Sequence, residues 1–87
     1  MNTAERAAQL LQSNRFLTLG IADEEGPWVA PINYVIGPGE QLHYYSAIGA
    51  RHALALESTQ RVALAIFDSR AASDDVDGLQ AAVMASR

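Results

Sequence analysis

Short segments of alternating side-chain character, separated by turn residues, are the feature that most constrains this fold. Phe16–Ala22 and Arg61–Asp68 alternate with a period of two, which predicts β-strands. Asp23-Glu24-Glu25-Gly26 and Gly37-Pro38-Gly39-Glu40 have the composition of tight turns. Strands joined by tight turns pair as antiparallel hairpins, so these segments predict a mainly β, antiparallel fold.

The remaining segments add two helices and three strands. Five short strands and a crossing helix favour a small barrel over a sandwich. Pro31 lies in the middle of a predicted strand whose two faces are both apolar. Because proline has no N–H, it indicates an edge strand, a bulge or a neighbour other than a strand. The helices are predicted at 2–13 and 51–58, and the strands at 27–36, 41–48 and 78–85.

Size and composition indicate one domain, over residues 1–87, that completes its core by association. Of the 87 residues, 49% are hydrophobic, but 16 are alanine, and each alanine buries little area. Chains this short bury a smaller share of their surface than larger domains do. No apolar run is long enough to span a membrane, and Glu5 and Arg6 interrupt the region where a signal peptide would be apolar. We therefore expect an oligomer with no membrane contact.

Charge and cysteine content exclude several classes of site. The net charge is −4, and all six basic residues are arginine, so no basic stripe is available for nucleic acid. The chain has no cysteine, which excludes disulfides and thiolate chemistry and agrees with a cytoplasmic location. His43 and His52 have no third ligand at a fixed spacing, and Asp74, Asp75 and Asp77 do not match a calcium loop. We expect no metal site.

The segment from Ser46 to His52 joins a predicted strand to a predicted helix. It places a hydroxyl group, helix N-terminal amides and the Arg51 guanidinium close together, and these groups suit a phosphate. The residues alone leave a second interpretation open, in which Ser46 is an ordinary strand residue and Arg51 a surface side chain.

The order of these segments resembles the pyridoxamine 5′-phosphate oxidase-like family, the FMN-binding split barrels. The resemblance runs from about Phe16 to Ala85, and the order and spacing of its segments carry it. These segments are Phe16-Leu-Thr-Leu-Gly-Ile-Ala22, Val29-Ala-Pro-Ile-Asn-Tyr-Val35, Leu42-His-Tyr-Tyr-Ser-Ala47 followed by Arg51-His52, Thr59-Gln-Arg-Val-Ala-Leu64 and Gly78-Leu-Gln80.

The resemblance implies a small antiparallel split β-barrel of five to six strands, with an N-terminal helix and one helix between the third and fourth strands. It also implies a homodimer that holds FMN in clefts between its subunits and transfers hydride or electrons to an unknown substrate. The residues implied along the flavin ring are Pro31, Ile32, Asn33 and Tyr34. Those implied at the phosphate are Ser46, Arg51 and His52, and Gln80 would reach the ring edge or the other subunit's flavin.

Three departures from the family pattern leave alternatives open. His52 stands where the family has lysine, and Ala50 stands where it has glycine, with Gly49 one position early. The chain ends at Arg87, so we expect the family's C-terminal elements, including the last barrel strand, to be missing. The alternatives are a deazaflavin cofactor, a haem held by His43 or His52, and a non-enzymatic binding or dimerisation module such as an inactive paralogue.

Overall fold

Six strands and two α-helices make up the regular structure of residues 2–45, 49–55, 61–72 and 77–86, which this computed structural model describes. The mainly β, antiparallel class is confirmed, with an N-terminal helix and a second helix before the last two strands. The elements are α1 (Thr3–Ser13), β1 (Phe16–Asp23), β2 (Gly26–Asn33), β3 (Val35–Ile36), a 3₁₀ turn (Pro38–Glu40), β4 (Leu42–His43), α2 (Arg51–Ala55), β5 (Arg61–Phe67) and β6 (Gly78–Met84).

The larger sheet has four antiparallel strands in the order β2-β1-β5-β6. The β1–β2 hairpin turns at Gly26, whose φ of 108° lies in the region that favours glycine. Of the described strands, β2 and β6 form the two edges. Strand β1 is central, and its buried positions alternate with exposed or half-buried ones, as the sequence predicted.

One face of this sheet carries the core, and helix α1 packs against it. Asn2 begins the helix by accepting a hydrogen bond from the Glu5 N–H at 2.8 Å. The end of the helix is tied to the sheet because the Tyr34 hydroxyl donates to the Leu11 carbonyl at 2.7 Å. The buried core residues of this inner face are Leu17, Leu19, Ile21, Ala30, Ile32, Tyr34, Val62, Leu64 and Ile66.

The strand predicted over 27–36 is divided at Tyr34. The Tyr34 N–H donates to the Arg15 carbonyl at 3.1 Å, and this hydrogen bond is the last one between β1 and β2. In the same register Val35 would pair with Asn14, but Asn14 is the C-cap of α1. The chain therefore leaves β1, and β3 pairs with β4 in a separate two-stranded sheet.

The opposite, outer face of the larger sheet is exposed in the single chain. Both faces of the strand predicted over 27–36 are apolar, yet Val29 on this face is 66% exposed. Helix α1 packs on the core side, so among the described residues no second layer covers the outer face. Its large exposed side chains are Phe16, Val29, Phe67 and Met84.

Candidate functional site

The free edge of β2 is the first part of the candidate site, and its chemistry follows from the hydrogen-bond alternation. In an antiparallel pair, hydrogen-bonded and non-hydrogen-bonded residue pairs alternate along the ladder. Because Tyr34 and Arg15 form a hydrogen-bonded pair, Ile32 also directs its N–H and C=O toward β1. The backbone groups of Pro31 and Asn33 therefore point to the free edge.

This geometry explains the proline in the middle of the strand. Pro31 pairs with Thr18 at a non-hydrogen-bonded position, so its missing N–H costs the β1–β2 ladder nothing. The edge interpretation of Pro31 is therefore correct for the described strands. The edge offers the N–H groups of Val29 and Asn33 as donors. It offers the carbonyls of Val29, Pro31 and Asn33 as acceptors.

The four residues implied at the flavin ring divide between the two faces of the sheet. Pro31 and Asn33 are exposed on the outer face. Ile32 and Tyr34 are only 4% and 5% exposed, and their side chains belong to the core. Burial raises the pKa of the Tyr34 phenol. The backbone N–H and C=O groups of Ile32 and Tyr34 point toward β1, so of the four residues Pro31 and Asn33 are the ones placed to reach a ligand at the free edge or on the outer face.

Arg51, implied at the phosphate, is held by the tip of the β1–β2 hairpin. Its guanidinium donates to both carboxylate oxygens of Asp23, at 2.7 and 2.9 Å, and lies 3.6 Å from a carboxylate oxygen of Glu25. It also donates to the Gly26 carbonyl at 3.4 Å, and its Cζ lies 5.6 Å from the centroid of the Trp28 ring. This set of contacts anchors α2 to the hairpin.

The Asp23–Arg51 pair shifts both groups toward their charged forms. The hydrogen bonds from Arg51 lower the pKa of the Asp23 carboxyl, while burial opposes that effect. The same hydrogen bonds raise the pKa of Arg51. By strand alternation Asp23 and Trp28 point to the core side, so Arg51 and the exposed Pro31 lie on opposite sides of the sheet.

His52 presents a buried nitrogen with no hydrogen-bond partner. Among the described residues that are not exposed, Nε2 of His52 is the one buried side-chain nitrogen or oxygen without a hydrogen-bond partner. The ring centroid of Tyr44 lies 6.4 Å away, and burial raises the pKa of that phenol. A buried ring nitrogen normally has a partner, so a ligand oxygen beside it would satisfy His52. Ser46, the third residue implied at the phosphate, lies outside the described residues.

Gln80 lies exposed on the outer face, on the strand farthest from β2. Register places Pro31, Thr18, Ala65 and Gln80 in one row across the sheet. Three strand spacings separate the ends of this row, a distance of about 14 Å. One chain therefore does not bring Gln80 to the edge where Pro31 lies.

Two adjoining shallow depressions cross the outer face between these edges, with volumes of about 490 and 370 Å³. They form because small side chains occupy the middle of the face while larger ones surround it. The pattern of single strands does not predict this groove, although small residues at outward positions are a usable signal of it. The residues shared by both depressions are Gly20, Val29, Ala63 and Ala82.

Other candidate groups have structural partners. Asp77, considered for calcium, accepts two hydrogen bonds from the Arg6 guanidinium at 2.7 and 3.0 Å, which lower its pKa. Asp74 and Asp75 lie outside the described residues. No cluster of three potential metal ligands occurs in the part of the chain that the structure describes. In that same part, no helix has the length and apolar character needed to cross a membrane.

Comparison with known proteins shows the fold. A solved structure superimposes with a TM-score of 0.79 and 28% sequence identity, over 97% of this chain. The alignment covers 59% of that structure's own chain, so the present chain spans about three fifths of its length. No family model and no curated protein matches the chain.

Proposed function

We propose that this chain is an FMN-binding split-barrel protein of the pyridoxamine 5′-phosphate oxidase-like type, an oxidoreductase that acts as a homodimer. The observation that carries the proposal is the buried, unpartnered Nε2 of His52, which lies next in sequence to Arg51. A phosphate oxygen at this position would satisfy the imidazole, and Arg51 supplies the positive charge.

The edge of β2 suits the flavin ring. The pyrimidine part of isoalloxazine carries both hydrogen-bond donors and acceptors along one side. The edge-facing N–H of Asn33 and C=O of Pro31 offer complementary groups, and the absent N–H of Pro31 leaves no donor unsatisfied. A ligand along an edge strand can reach both faces of the sheet, so it can also approach Arg51 on the core side.

Asp23 is the obstacle to phosphate binding. Its carboxylate accepts hydrogen bonds from both terminal nitrogens of the Arg51 guanidinium, so a phosphate must share Arg51 or displace Asp23. His52 has no such competitor. We therefore infer that His52 makes the first phosphate contact, and that Arg51 adds to it only to the extent that Asp23 releases it.

The exposed apolar outer face supports a second copy. Val29 is 66% exposed, and Phe16, Phe67 and Met84 are also exposed on this face. Apolar patches of this kind often mark subunit interfaces. A second copy could also bring its Gln80 to the flavin.

When bound, FMN would supply the hydride or electron transfer. The chain's own part is to bind and orient it: the β2 edge fixes the ring plane, and the apolar outer face excludes water once a second copy covers it.

The test is an FMN titration of the purified protein, followed by desalting and an absorption spectrum. We expect retained flavin, and at least about tenfold weaker binding in His52→Ala, since hydrogen bonds to charged groups contribute about 1.5–3 kcal/mol. Arg70→Ala is the matched control for removing a basic side chain, because the Arg70 side chain is 83% exposed and lies on another loop. Unchanged affinity in His52→Ala would contradict the proposed phosphate contact.

Asp23→Ala separates the two roles of Arg51. If phosphate and Asp23 compete, this variant binds FMN more tightly than the wild type, although it loses the contact between α2 and the hairpin. If the contact with Asp23 is what shapes the site, the variant binds more weakly. No flavin retention by any variant would refute FMN binding.

The same His52 nitrogen favours haem as the second candidate, because an axial ligand needs an unpartnered Nε2. His43 is less suited, since its ring packs directly over Gly37. Haem binding would give a Soret band that His52→Ala abolishes and His43→Ala leaves unchanged. A folded protein that retains neither haem nor flavin would instead indicate a module that only binds its own partner.

A further inference from the structure

All three guanidinium nitrogens of Arg51 are engaged by the hairpin tip, residues 23–26 between β1 and β2. The two terminal nitrogens donate to the Asp23 carboxylate, and one of them also donates to the Gly26 carbonyl. The third nitrogen, Nε, lies 3.6 Å from a carboxylate oxygen of Glu25. One positive and two negative charges make this cluster net negative before any ligand arrives. An anion can therefore use Arg51 fully only when the hairpin tip releases it.

The attachment of helix α2 to the hairpin depends on this one side chain. Helix α2 has five residues, and helices this short are not stable in water without tertiary contacts. Among the described residues, the polar contacts between α2 and the hairpin tip all come from Arg51. Losing them would therefore separate the hairpin tip from α2 without breaking the β1–β2 ladder itself.

This arrangement satisfies Arg51 but leaves its neighbour His52 unsatisfied. The buried Nε2 of His52 has no hydrogen-bond partner, which destabilises the arrangement. An anion that contacts both residues would satisfy both. Asp23 would then keep a partner of its own, because its Oδ1 also accepts a hydrogen bond from the Glu25 N–H at 2.9 Å. Two arrangements with different pairings of Arg51 therefore compete, one with the hairpin tip and one with an anion.

We propose that the hairpin tip is a built-in competitor for the anion site, and that an anion binding to Arg51 and His52 releases the tip from α2. The inference rests on the proposed function only in placing the anion at these two residues. The coupling is reciprocal, so any contact that holds the tip to Arg51 weakens anion binding by the same factor. Glu25 adjusts this competition, because its charge repels an anion at Arg51 while its side chain is 79% exposed.

Trp28 reports the state of the hairpin tip. It is the single tryptophan of the chain, and its ring centroid lies 5.6 Å from Cζ of Arg51, so loss of that contact changes its fluorescence. The first experiment titrates inorganic phosphate, which does not absorb tryptophan emission as FMN does, against sodium chloride of equal ionic strength. We expect phosphate, but not chloride, to shift the wild-type spectrum toward that of Arg51→Gln. A wild-type spectrum that phosphate leaves unchanged would overturn the proposal.

Two neighbouring glutamates provide a matched pair of variants that both keep the Asp23–Arg51 pair. Glu24 and Glu25 are both exposed in the hairpin tip, and the described contacts of Arg51 include Glu25 but not Glu24. We expect Glu25→Gln to lower the half-saturating phosphate concentration by about two- to fivefold, the size of an exposed ion-pair effect, and Glu24→Gln to match the wild type. Equal shifts in both variants would indicate a general charge effect and would refute competition by the tip.

Hydrogen exchange in the wild type separates release of the tip from simple binding. The Glu25 N–H donates to the Asp23 carboxylate that Arg51 holds in place. A ligand that only adds contacts slows exchange near its site, whereas release of the tip should increase the exchange rate of the Glu25 amide. A slower or unchanged rate at saturating phosphate would overturn the proposal. The FMN titration is decided separately: a phosphate response without flavin retention would refute FMN binding alone, and flavin retention without a phosphate response would refute this inference alone.

Discussion

Replacing Tyr34 with phenylalanine tests whether this side chain belongs to the core or to the ligand. The phenol is 5% exposed, and its hydroxyl donates to the Leu11 carbonyl at 2.7 Å. That carbonyl is in the last turn of α1, where helix carbonyls lack intrahelical partners. Tyr34→Phe therefore removes one hydrogen bond between the helix and the sheet and leaves the packing of the ring unchanged.

We expect the free energy of unfolding to fall by about 1 kcal/mol, the net contribution of a typical hydrogen bond. For a domain of this size the corresponding decrease in Tm is about 4–8 °C. Tyr34→Ala, which also removes the ring, should cost about 3 kcal/mol or more. Urea denaturation at one fixed protein concentration measures both, because self-association would otherwise change the apparent stability.

The pH dependence gives an independent check on the same residue. Burial raises the pKa of Tyr34, so the folded state favours the neutral phenol. Its stabilisation is complete below the unfolded pKa of about 10 and is lost as the pH rises through the higher folded value. Tyr34→Phe should lose less stability than the wild type between pH 9 and 11. Burial also raises the pKa of Tyr44, and this effect is the same in the wild type and in Tyr34→Phe, so it cancels in the comparison.

Ligand binding separates the two positions that Tyr34 could occupy. If the phenol lies in the core, Tyr34→Phe binds FMN within about twofold of the wild type, since the hydroxyl that it removes is bonded to helix α1 and does not contact the ligand. A variant of unchanged stability and at least tenfold weaker FMN binding would refute our placement of this side chain.

Three further predictions address the core, the β3–β4 turn and the hairpin contact. Ile66→Ala, at a position only 1% exposed, should lower the free energy of unfolding by about 3 kcal/mol in urea, and a loss below about 1 kcal/mol would contradict its packing. Gly37→Ala should lower Tm, because an added Cβ would lie 2.5 Å from the His43 ring, and adding His43→Ala should restore it. Arg51 lowers the pKa of Asp23, so their pair stabilises above the ordinary carboxyl pKa of about 4 and less as the pH falls toward the folded value. The Tm difference between wild type and Asp23→Asn should therefore shrink from pH 6 to pH 3, and a constant difference would contradict this role.

Alternation along single strands was sufficient to predict most of the larger sheet. The strand predicted over Arg61–Asp68 is β5 within one residue, and its inward positions Val62, Leu64 and Ile66 are buried as their period indicates. The division at Tyr34 was not predictable from the strand itself. It depends on where β1 begins, and that is fixed by the C-cap of α1 at Asn14, a residue far from Tyr34 in sequence.

The candidate site was harder to predict because its contacts are non-local. The sequence pattern places Asp23 in a tight turn, because three acidic residues followed by a glycine are typical of one. Its partner Arg51 lies 28 positions away, and no local pattern links the two. The groove was also missed, because it depends on small residues from neighbouring strands, such as Gly20 and Ala63, lying side by side.

The prolines of β2 decide how the unpaired backbone of this edge can be used. They remove alternate donors, which prevents continuous pairing with another strand and leaves isolated groups suited to a small polar ligand. Replacing Pro31 is the sharpest test of this reasoning. Pro31→Ala should restore an edge donor on β2 and promote concentration-dependent strand pairing there, and a variant that keeps the wild-type particle mass at every concentration would contradict it.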